Sequence, residues 1–448
     1  MQISILTVFP KFYETFLETS IIGRAVQNNL IKFNVVRFSD YCNPKERIDE
    51  PCVGPGSGII LKPIVVEKAI KDCENKFGKA FKIFFSPQGK VLNQNLLNKI
   101  SKNISSNIED ELTDSSKENK SMHLMLICAR YEGMDQRVEE FFADEIISIG
   151  DYVLMGGDLP AQVFLEGFLR LIPGVVGKQE SVEKESFKGP FLDFHNFGLP
   201  DSWQNKEIPQ ILKNGNHAAI EKWRNENAAK NTILKRFDWY RKNVEKEEDL
   251  SIANKTIPNH YVALMHTQVL VKSAGTGDTS ITSIDIHDIA RSSATYGIKN
   301  YFVVSRFEDQ HMIMATFLKF WKSEEGKKYN FSRYNAVSRV EPTRSFEEVL
   351  NKIKKIEGKE PIVIATSAKN YENLPEIDFY SQGKIWEQNR PVLILLGTGQ
   401  GLCDDLLKKC DYILLPVQGI PDYNHLSVRS AAAIILDRWL GINRKIIE

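Results

Sequence analysis

A cluster of charged residues follows directly after an apolar run in the first third of the chain. The run LMLIC, residues 124–128, is typical of a buried strand, and ARYEGMDQR, residues 129–137, continues it with charged side chains among small ones. Ligands of α/β proteins bind where the strands of the sheet end. The cluster therefore predicts a ligand site. The alternative is a strand followed by a solvated helix start, with Arg130 and Glu132 as a surface ion pair.

A glycine cluster in SIGDYVLMGGDLPA, residues 148–161, is a second candidate for ligand binding. Gly150, Gly156 and Gly157 stand around an apolar stretch. Glycine costs backbone entropy when it is ordered in a strand, so a segment selected only for stability would avoid three of them. We therefore expect the backbone of this segment to approach another group closely.

Two further glycine-rich segments, VGPGSGI at 53–59 and LGTGQGL at 396–402, invite comparison with nucleotide phosphate loops. Neither has the G-x-G-x-x-G spacing of a dinucleotide site, and no Walker Lys-Ser/Thr pair follows either. This spacing argues against a phosphate loop. A tight turn with positive φ is the simpler interpretation of 53–59, and a turn that lets the backbone approach a ligand stays open for both.

Strand candidates recur along the chain and alternate with helical patterns. In the first half they are ISILTVF, FNVVRF, FKIFFS, LMLIC and DEIISIGDYVL. After Pro258 a second series begins: YVALMHTQVLV, NYFVVS, PIVIATSA, PVLILLGTG and YILLPVQG, ending in the helical pattern HLSVRSAAAIILDRWLG. Such alternation predicts largely parallel sheets with helices on both faces. The predicted fold class is therefore α/β, with a second α/β domain in the C-terminal half.

Length and composition indicate a multidomain globular protein. A chain of 448 residues is too long for one ordinary core, so two or three domains are expected. Basic and acidic residues balance at 58 each, which gives no overall nucleic-acid footprint. Six cysteines without a C-x-x-C pair, and no recognisable secretory segment, predict reduced thiols in a cytoplasmic protein. No apolar run reaches transmembrane length, so no membrane partner is expected.

Three segments outside the strand candidates differ in composition from the rest of the chain. Residues 101–121 are polar and rich in Ser, Asn and Glu, which predicts a mobile surface insertion. Residues 206–246 carry ten basic against five acidic side chains in a helical pattern. Either a solvated amphipathic helical pair or a basic surface for a nucleic-acid backbone explains this segment. Residues 244–260 are charged and read as a linker.

The first 245 or so residues resemble the bacterial tRNA (guanine-37-N1) methyltransferases, the TrmD family. The matching motifs occur in the family's order: LTVFP, GRAV, RIDEPCVGPGSG, SPQGK, ARYEGMDQRV, SIGDYVLMGGDLPA, IPGVVGKQES and NGNHAAIEKWR. Each motif is weak alone, but the ordered series over half the chain is specific. The resemblance implies a SPOUT fold with a C-terminal trefoil knot, and a homodimer with the active site at the subunit interface.

The resemblance also implies a division of the chain. Residues 1–180 would form the SPOUT catalytic domain and 181–245 a linker with a small helical tRNA-binding domain. Residues 246–257 would be a second linker, and 258–448 a second SPOUT-like domain.

S-adenosyl-L-methionine is the implied methyl donor, bound in the knot with its adenine in a cleft between three loops. Adenine needs an apolar slot with backbone donors and acceptors, and small residues allow that close approach. The cofactor-binding residues carried over from the motifs are Ser86, Pro87, Ala129, Tyr131, Gly133, Ile149, Gly150, Asp151, Tyr152, Val153, Leu154, Gly156 and Gly157.

The catalytic residues implied by the resemblance are Arg130, Glu132 and Asp193. Glu132 would accept from guanine N–H groups, and Arg130 would donate to the carbonyl oxygen. Asp193, supplied by the partner subunit, would remove the proton from guanine N1 as the methyl group arrives. His195 is the rival base on its side-chain chemistry alone, and an ordinary helix N-cap is the alternative for Asp193. The family is associated with magnesium, although the sequence shows no independent metal site.

Some positions depart from the family pattern. Ala129 stands where the family usually has Gly, and its methyl group would narrow the cofactor slot slightly. Pro55 replaces a glycine of the glycine-rich loop, and Val53 replaces an aromatic residue. The stretch HNFGLP, residues 195–200, lacks the Tyr and Arg usual before its proline. The last departure concerns the tRNA-facing part of the loop after Asp193.

Residues 258–448 resemble a second SPOUT-type RNA methyltransferase domain. The motifs IARSSATYGIKNYFVVS, LLGTGQGL, LLPVQG and YNHLSVRSAAAIILDR carry this likeness. Asn424, Ser427 and Arg429 would open a helix beside the cofactor loop, where free N–H groups face a ligand. An active enzyme and an inactive accessory that adds RNA affinity or a dimer surface both remain open for this half. For the whole chain, a tRNA with guanosine at position 37 is the expected partner, and a non-catalytic knotted RNA-binding protein is the alternative.

Overall fold

The computed structural model describes residues 1–54, 58–109, 122–177, 185–272, 275–371 and 374–443, with only the backbone for 105–109. These residues form two compact units, Met1–Glu185 and Ser186–Glu448. Most of the surface insertion predicted at 101–121 lies outside the described residues. The same holds for Pro55 and Gly56 of the first glycine-rich segment.

The first unit is built on a five-stranded parallel sheet of order β2-β1-β6-β5-β7. Its strands are β1 (Gln2–Thr7), β2 (Lys32–Arg37), β3 (Asp49–Pro51), β4 (Ile59–Leu61), β5 (Phe81–Val91), β6 (His123–Ile127) and β7 (Glu145–Ser148). Strands β3 and β4 form a separate antiparallel pair. Its helices are α1 (Lys11–Glu18), α2 (Ser20–Gln27), α3 (Pro63–Phe77), α4 (Gln94–Glu109), α5 (Gln136–Phe142) and α6 (Asp158–Leu169).

Both faces of this sheet are covered, which explains why its central strands read as continuous apolar runs. On one face Ile5 and Leu126 join a core with Phe164 of α6. On the other face Ile127 joins a core with Ile70 of α3. All six residues of β1 and all five of β6 are buried. The predicted α/β architecture with parallel strands is confirmed for this half.

Strand β5 departs from the sequence prediction, which placed only FKIFFS in a strand. The strand continues to Val91, but its pairing with β7 is interrupted, since Phe85 and Lys90 both face Ile147. The residues between them bulge out of the ladder. Gly89 permits this, because a Cβ there would come within 2.6 Å of the Ile147 backbone nitrogen. The bulge displaces Ser86–Gln88 from the sheet at its carboxyl edge.

The second unit contains a seven-stranded parallel sheet of order β14-β13-β10-β17-β15-β18-β16. The unit's strands are β8 (Ser202–Trp203), β9 (Lys206–Glu207), β10 (His260–Met265), β11 (Val269–Val271), β12 (Gly275–Gly277), β13 (Tyr301–Val304), β14 (Val340–Thr343), β15 (Ile362–Thr366), β16 (Glu376–Ile377), β17 (Val392–Gly397) and β18 (Tyr412–Leu414). The short strands pair as β8 with β9 and β11 with β12.

The helices of the second unit precede, connect and follow these strands. They are α7 (His217–Lys235), α8 (Phe237–Asn243), α9 (Glu247–Asn254), α10 (Ser283–Thr295), α11 (Glu308–Trp321), α12 (Glu324–Tyr329), α13 (Phe331–Val337), α14 (Phe346–Glu357), α15 (Gln382–Trp386), α16 (Asp404–Leu407) and α17 (Val428–Leu440). The predicted second α/β pattern and its final helix are therefore present. Among the residues described, no helix is long and apolar enough to cross a membrane.

The helices before Pro258 share a hydrophobic core with the C-terminal sheet. Ile233 of α7 and Phe237 of α8 belong to one buried cluster with Trp386, Val392 and Trp439. The segment predicted as the second linker contains helix α9, whose Ala253 is buried in the same cluster. The predicted four-part division of the chain stays a prediction, since the two compact units do not test its boundaries.

Candidate functional site

A cleft of about 230 Å³ lies at the carboxyl edge of the first sheet, where the adjacent strands β6, β5 and β7 end. Three loops from distant parts of the sequence line it, together with the start of α6. The lining residues are Phe85, Ser86, Pro87, Ala129, Arg130, Tyr131, Glu132, Gly133, Ile147, Ser148, Ile149, Gly150, Tyr152, Val153, Leu154, Gly156, Gly157 and Pro160. This is the position at which open parallel sheets bind ligands.

Gly156 and Gly157 let the loop after β7 close against the end of β6. The Gly157 N–H donates to the Ala129 carbonyl at 2.8 Å, and Gly156 pairs with Arg130 in an isolated bridge. A Cβ on Gly156 would lie 2.8 Å from the Ala129 oxygen and 2.5 Å from the Arg130 Cδ atom. The group that the backbone of this glycine cluster approaches closely is therefore the chain at the end of strand β6.

The Arg130 side chain is held in place from several sides. Its guanidinium lies 4.8 Å from the centre of the Phe9 ring and 5.3 Å from that of Phe12. Its Nε donates to Asp158 at 3.2 Å, and its Nη1 donates to the Met155 carbonyl at 3.1 Å. The side chain is 14% exposed. Arg130 forms its ion pair with the buried Asp158 at the start of α6. The structure therefore shows this buried pair in place of the surface ion pair with Glu132.

Asp158 is the buried partner in this arrangement. Its carboxylate accepts hydrogen bonds from the Thr7 and Tyr13 hydroxyls as well as from Arg130. Burial raises the pKa of Asp158, and the three donors act in the opposite direction by favouring the charged form. A buried carboxylate with three donors is a rigid anchor. It orients Arg130 along the wall of the cleft.

Tyr131 and Glu132 lie on the solvent side of the same loop. Tyr131 has a φ of 61°, a left-handed conformation that non-glycine residues rarely adopt. Burial, followed by the nearby Asp49 carboxylate, raises the pKa of Tyr131. The exposed Glu132 is tied to β4 through its backbone, whose N–H donates to the Ile59 carbonyl at 3.1 Å. The carboxylate of Glu132 is thereby presented at the cleft by a fixed backbone.

Asp193 and His195 belong to the second unit and are not among the residues that line the cleft. The Asp193 N–H donates to Ser186 Oγ at 3.0 Å, and the His195 N–H donates to Asn227 Oδ1 at 2.7 Å. Asp193 lies outside every helix that the structure describes. The loop around it is attached to helix α7.

The structure brings together all but one of the predicted cofactor-binding residues. Asp151 is exposed and absent from the lining, whereas the other predicted positions, with Arg130 and Glu132, surround one cleft. Ala129 lines it and is 8% exposed. Ile147 lies just outside the segments predicted for ligand binding, whereas Ser148 and Pro160 belong to the glycine cluster 148–161 but are not among the cofactor-binding residues carried over from the motifs. The binding of the methyl donor by these residues stays a prediction.

Asp158 is the residue near the site that sequence reasoning missed. It stands inside the glycine cluster, but its role depends on Thr7 and Tyr13, which are about 150 positions away. No local pattern in the sequence joins these residues. The signal that was available is an acid directly after two glycines at a helix start.

The second glycine-rich loop, at 397–401, closes on a buried histidine at the end of β10. The Thr398 hydroxyl donates its hydrogen to the Met265 carbonyl at 2.8 Å. In the bond between the two threonines, Thr398 Oγ1 is therefore the acceptor and Thr279 is the donor. Thr279 Oγ1 in turn accepts a hydrogen bond from His266 Nδ1 at 3.0 Å. This order leaves the lone pair on His266 Nε2, which is buried and has no hydrogen-bond partner in the described part of the chain. Burial lowers the pKa of His266 to about 4, so its ring is neutral.

The described ranges contain no cluster of side chains that could form a metal site. No group of three or more His, Cys, Asp or Glu side chains among these residues is arranged to hold a metal ion. The six cysteines are free thiols.

Each half of the chain matches a family of known proteins. Residues 1–242 match the family model described as tRNA (Guanine-1)-methyltransferase TrmD, which is more than half of the chain. The chain belongs to this family. Residues 259–441 match a second family model, described as SAM-dependent RNA methyltransferase. The resemblances inferred from the motifs of the two halves are thus confirmed.

Individual relatives show how far the likeness extends. The chain is 34% identical over 447 residues to a tRNA (guanine-N(1)-)-methyltransferase of Nitratidesulfovibrio vulgaris, covering 98% of this chain and 99% of that protein. A protein of the same name from Oleidesulfovibrio alaskensis matches with the same identity and coverage. One from Fervidobacterium nodosum is 39% identical over 250 residues, which are 56% of this chain and 94% of that protein. The two-part organisation is therefore shared with some relatives and not with others.

Proposed function

We propose that the chain transfers a methyl group from S-adenosyl-L-methionine to N1 of guanosine at position 37 of tRNA. The observation that supports this proposal is the cleft that three loops form at the carboxyl edge of the first sheet. These loops contain the motifs shared with the family to which the chain belongs. A knotted RNA-binding protein without catalysis is the competing function, and it predicts a cleft that binds no methyl donor.

The residues of the cleft fit the proposed methyl donor. Apolar residues, among them Phe85 and Leu154, offer a slot for a flat adenine ring. The glycines beside them leave backbone groups accessible for its polar edge. The donor supplies an electrophilic methyl group on a sulfonium. The chain's contribution is to orient the two reacting atoms and to exclude water from them.

Arg130 and Glu132 are the proposed guanine-binding residues. A guanidinium has five N–H donors. Arg130 uses two groups, Nε and Nη1, for Asp158 and Met155, so donors remain for the guanine carbonyl oxygen. Glu132 accepts from the guanine N–H groups through its exposed carboxylate. Because Asp158 anchors Arg130, the N–H groups of its guanidinium already point in a fixed direction before the tRNA binds.

Asp193 is the proposed base. Guanine N1 carries a proton, and its lone pair is available for the methyl group only when that proton leaves. The Asp193 carboxylate takes this proton while N1 bonds to the methyl carbon, and the bond from that carbon to sulfur breaks, which would leave the sulfur as a neutral thioether. In the proposed arrangement Asp193 comes from the partner subunit of a homodimer, and the first unit has the SPOUT fold with its trefoil knot. His195 is the rival for the same role. Magnesium is the further requirement that the family resemblance implies.

The experiment that tests this function compares the full chain with its Asp193→Asn variant. Each is incubated with S-adenosylmethionine and a transcript of a tRNA with guanosine at position 37, and nucleosides are identified by mass spectrometry. We expect N1-methylguanosine from the unsubstituted chain and at least a hundredfold slower formation with Asp193→Asn. Calorimetry should show that Asp193→Asn binds the methyl donor with unchanged affinity.

Two results would contradict the proposal in different ways. Near-normal turnover by Asp193→Asn, with loss of activity in His195→Gln, would move the base to His195. No product and no binding of the methyl donor by the unsubstituted chain would favour the RNA-binding function without catalysis.

The second unit is a candidate for a second RNA methyl transfer. The match of residues 259–441 and the neutral His266 beside the glycine-rich loop favour it. The test uses the full-length Asp193→Asn chain, S-adenosylmethionine with a labelled methyl group, and total bacterial RNA. Label in RNA that disappears with His266→Ala supports a second activity. No label above background supports an accessory role in RNA binding or dimerisation.

A further inference from the structure

The loop that carries Asp193 is fastened to helices α7 and α8. The Leu192 N–H donates to Thr232 Oγ1 at 2.7 Å, next to the bond between His195 and Asn227. Thr232 is fully buried and donates in turn to the Ala228 carbonyl. Because the backbone on each side of Asp193 is bonded to a side chain of α7, the loop moves when this helix moves.

Aromatic contacts attach the same loop to α8. The rings of Phe191 and Tyr240 are stacked, with centroids 5.8 Å apart and planes 8° from parallel. The Trp239 indole N–H donates to the Gly189 carbonyl at 3.0 Å. The loop from 186 to 195 thus has hydrogen-bonded and packed contacts to both helices.

These helices are in turn fixed to the C-terminal α/β body, by which we mean residues 258–443. The Phe237 ring of α8 meets the Trp386 ring edge to face, with centroids 4.9 Å apart. Arg241 donates from Nη1 to the Arg438 carbonyl and from Nη2 to the Asp437 carbonyl, at 3.0 and 2.8 Å. Both carbonyls belong to the last turn of α17, whose end a guanidinium stabilises.

The closest contact between the helices and the body is at Gly383. A Cβ at this position would lie 1.9 Å from the Leu234 carbonyl oxygen of α7. Helix α15 therefore packs directly on the backbone of α7 without an intervening side chain. No side chain larger than hydrogen fits at this contact.

Trp386 is itself rigidly placed inside the body. Its indole N–H and that of Trp439 both donate to His260 Nε2, at 3.2 and 3.0 Å. His260 Nδ1 donates to the Pro258 carbonyl at 2.7 Å, which fixes the tautomer with Nε2 as acceptor. The start of β10, helix α15 and helix α17 are thereby joined at one buried point.

We infer that the C-terminal α/β body positions the Asp193 loop for methyl transfer by the first site, through the contacts of α7 and α8 with Gly383, Trp386 and α17. This inference rests on the proposed function of Asp193 as the base. Gly383, Trp386 and Phe237 are positioning residues, because they act on the reaction only through the loop. The C-terminal half thus takes part in the first reaction, whatever RNA it modifies itself.

The test is a pair of matched glycine substitutions in the full chain. Gly383→Ala forces a methyl group against the Leu234 oxygen at the joint between α7 and the body. Gly326→Ala is the control, since its Cβ would lie 2.3 Å from the Phe320 oxygen, entirely within the body. Both variants disturb a backbone contact of the same kind, and only one of them disturbs the support of the Asp193 loop.

The measured quantities are the single-turnover rate of N1-methylguanosine formation at saturating tRNA and methyl donor, and the affinity for the methyl donor. A displacement of about 1 Å at a catalytic group costs up to about a hundredfold in rate. We expect the rate to fall at least about tenfold in Gly383→Ala and to stay within about twofold in Gly326→Ala. The affinity for the methyl donor should be unchanged in both variants, because the first-sheet cleft is not altered.

A second variant covers the possibility that Gly383→Ala does not fold. Phe237→Leu removes the ring contact with Trp386 at a buried position, where the side chain cannot reach tRNA itself. A reduced rate at saturation with an unchanged KM for tRNA supports the inference. An unchanged rate in the folded variants, with faster hydrogen exchange in α7, overturns it. No product from the unsubstituted chain overturns the proposed function itself, which is a separate outcome.

Discussion

Arg130 shows how its surroundings change the role of a charged residue. From the sequence, Arg130 is expected either to donate a hydrogen bond to guanine or to form a surface ion pair with Glu132. In the structure two aromatic rings, Phe9 and Phe12, flank its guanidinium, and a buried carboxylate binds it. Burial of this pair makes its geometry rigid and makes the loss of either partner costly.

The pair with Asp158 leads to a prediction about stability and rate. Asp158→Asn keeps the size of the side chain but leaves the Arg130 charge without its carboxylate. We expect the free energy of unfolding of the first unit to fall by about 3 kcal/mol. The rate of methyl transfer should also fall, because Arg130 loses its anchor. Urea unfolding and nucleoside analysis measure the two effects.

The control is Glu67→Gln, which removes an exposed ion pair with Lys71. Such pairs contribute little, so unfolding should be nearly unchanged. Equal destabilisation by both substitutions would show that the buried position of Asp158 is unimportant.

Gly156 gives a prediction about the cleft. Gly156→Ala places a methyl group within 2.5 to 2.8 Å of Arg130 and the Ala129 oxygen, so the loop after β7 must move away from β6. We expect the affinity for S-adenosylmethionine to fall by at least about tenfold, which is about 1.4 kcal/mol. Gly177→Ala is the matched control, because no atom of the described residues lies within 4 Å of a Cβ there. Calorimetry showing equal affinities for both variants would exclude Gly156 from the binding wall.

At the scale of secondary-structure elements, short interruptions of regular structure build the first cleft. The bulge in β5 moves Ser86 and Pro87 out of the ladder, and β7 ends at Ser148 so that 149–155 is irregular. The adjacent β6 contributes the loop that begins at Ala129. A sheet whose three neighbouring strands all continued regularly would have no room for a ligand at this edge.

The start of β10 yields a prediction about pH. Burial lowers the pKa of His260 to about 4, while an unfolded histidine titrates near 6.5. Between these values the unfolded chain binds more protons, so stability is complete above about pH 6.5 and is lost as the pH falls towards about 4. The shift corresponds to about 3 kcal/mol. We expect urea unfolding of the second unit to show this loss on acidification.

His260→Gln should remove this contribution of about 3 kcal/mol, while His266, whose pKa burial lowers to the same value, keeps a second contribution of similar size. His425→Gln is the control at an exposed position and should keep the full pH dependence. If both variants lose stability on acidification as the unsubstituted chain does, the buried histidines are not the cause.

At the scale of the whole molecule, the basic helical segment and the C-terminal sheet belong to one compact unit. The basic helical segment was assigned by resemblance to the first half, but its apolar side chains are buried with those of the C-terminal sheet. A deletion that follows the motif boundary therefore uncovers a core. The residues that lose their cover are Ile233, Phe237, Tyr240 and Val244.

This uncovering can be measured by hydrogen exchange on a chain shortened to residues 1–257. We expect peptides from α7 and α8 to exchange much faster in the short chain than in the full chain, because their apolar face is exposed to water. Peptides from β1 and β6 are the internal control and should keep their protection. Equal protection of α7 and α8 in both chains would show that these helices are stable without the C-terminal body.

By itself the sequence determined the α/β class, the parallel sheets, both family resemblances and nearly all the residues of the first cleft. These depend on local patterns: apolar runs give strands, glycines mark loops, and strand ends mark ligand sites. The motifs could be located without knowing which loops meet, because parallel strands place all their carboxyl ends at one edge.

The anchoring of Arg130 by Asp158, the bulge in β5 and the joint at Gly383 were decided only by the tertiary structure. Each joins residues far apart in sequence, and an aspartate or a glycine has no local signature for such a partner. The shared core of α7, α8 and the C-terminal sheet has the same cause. An amphipathic helix shows that it must bury one face, but only the packed molecule shows what covers that face.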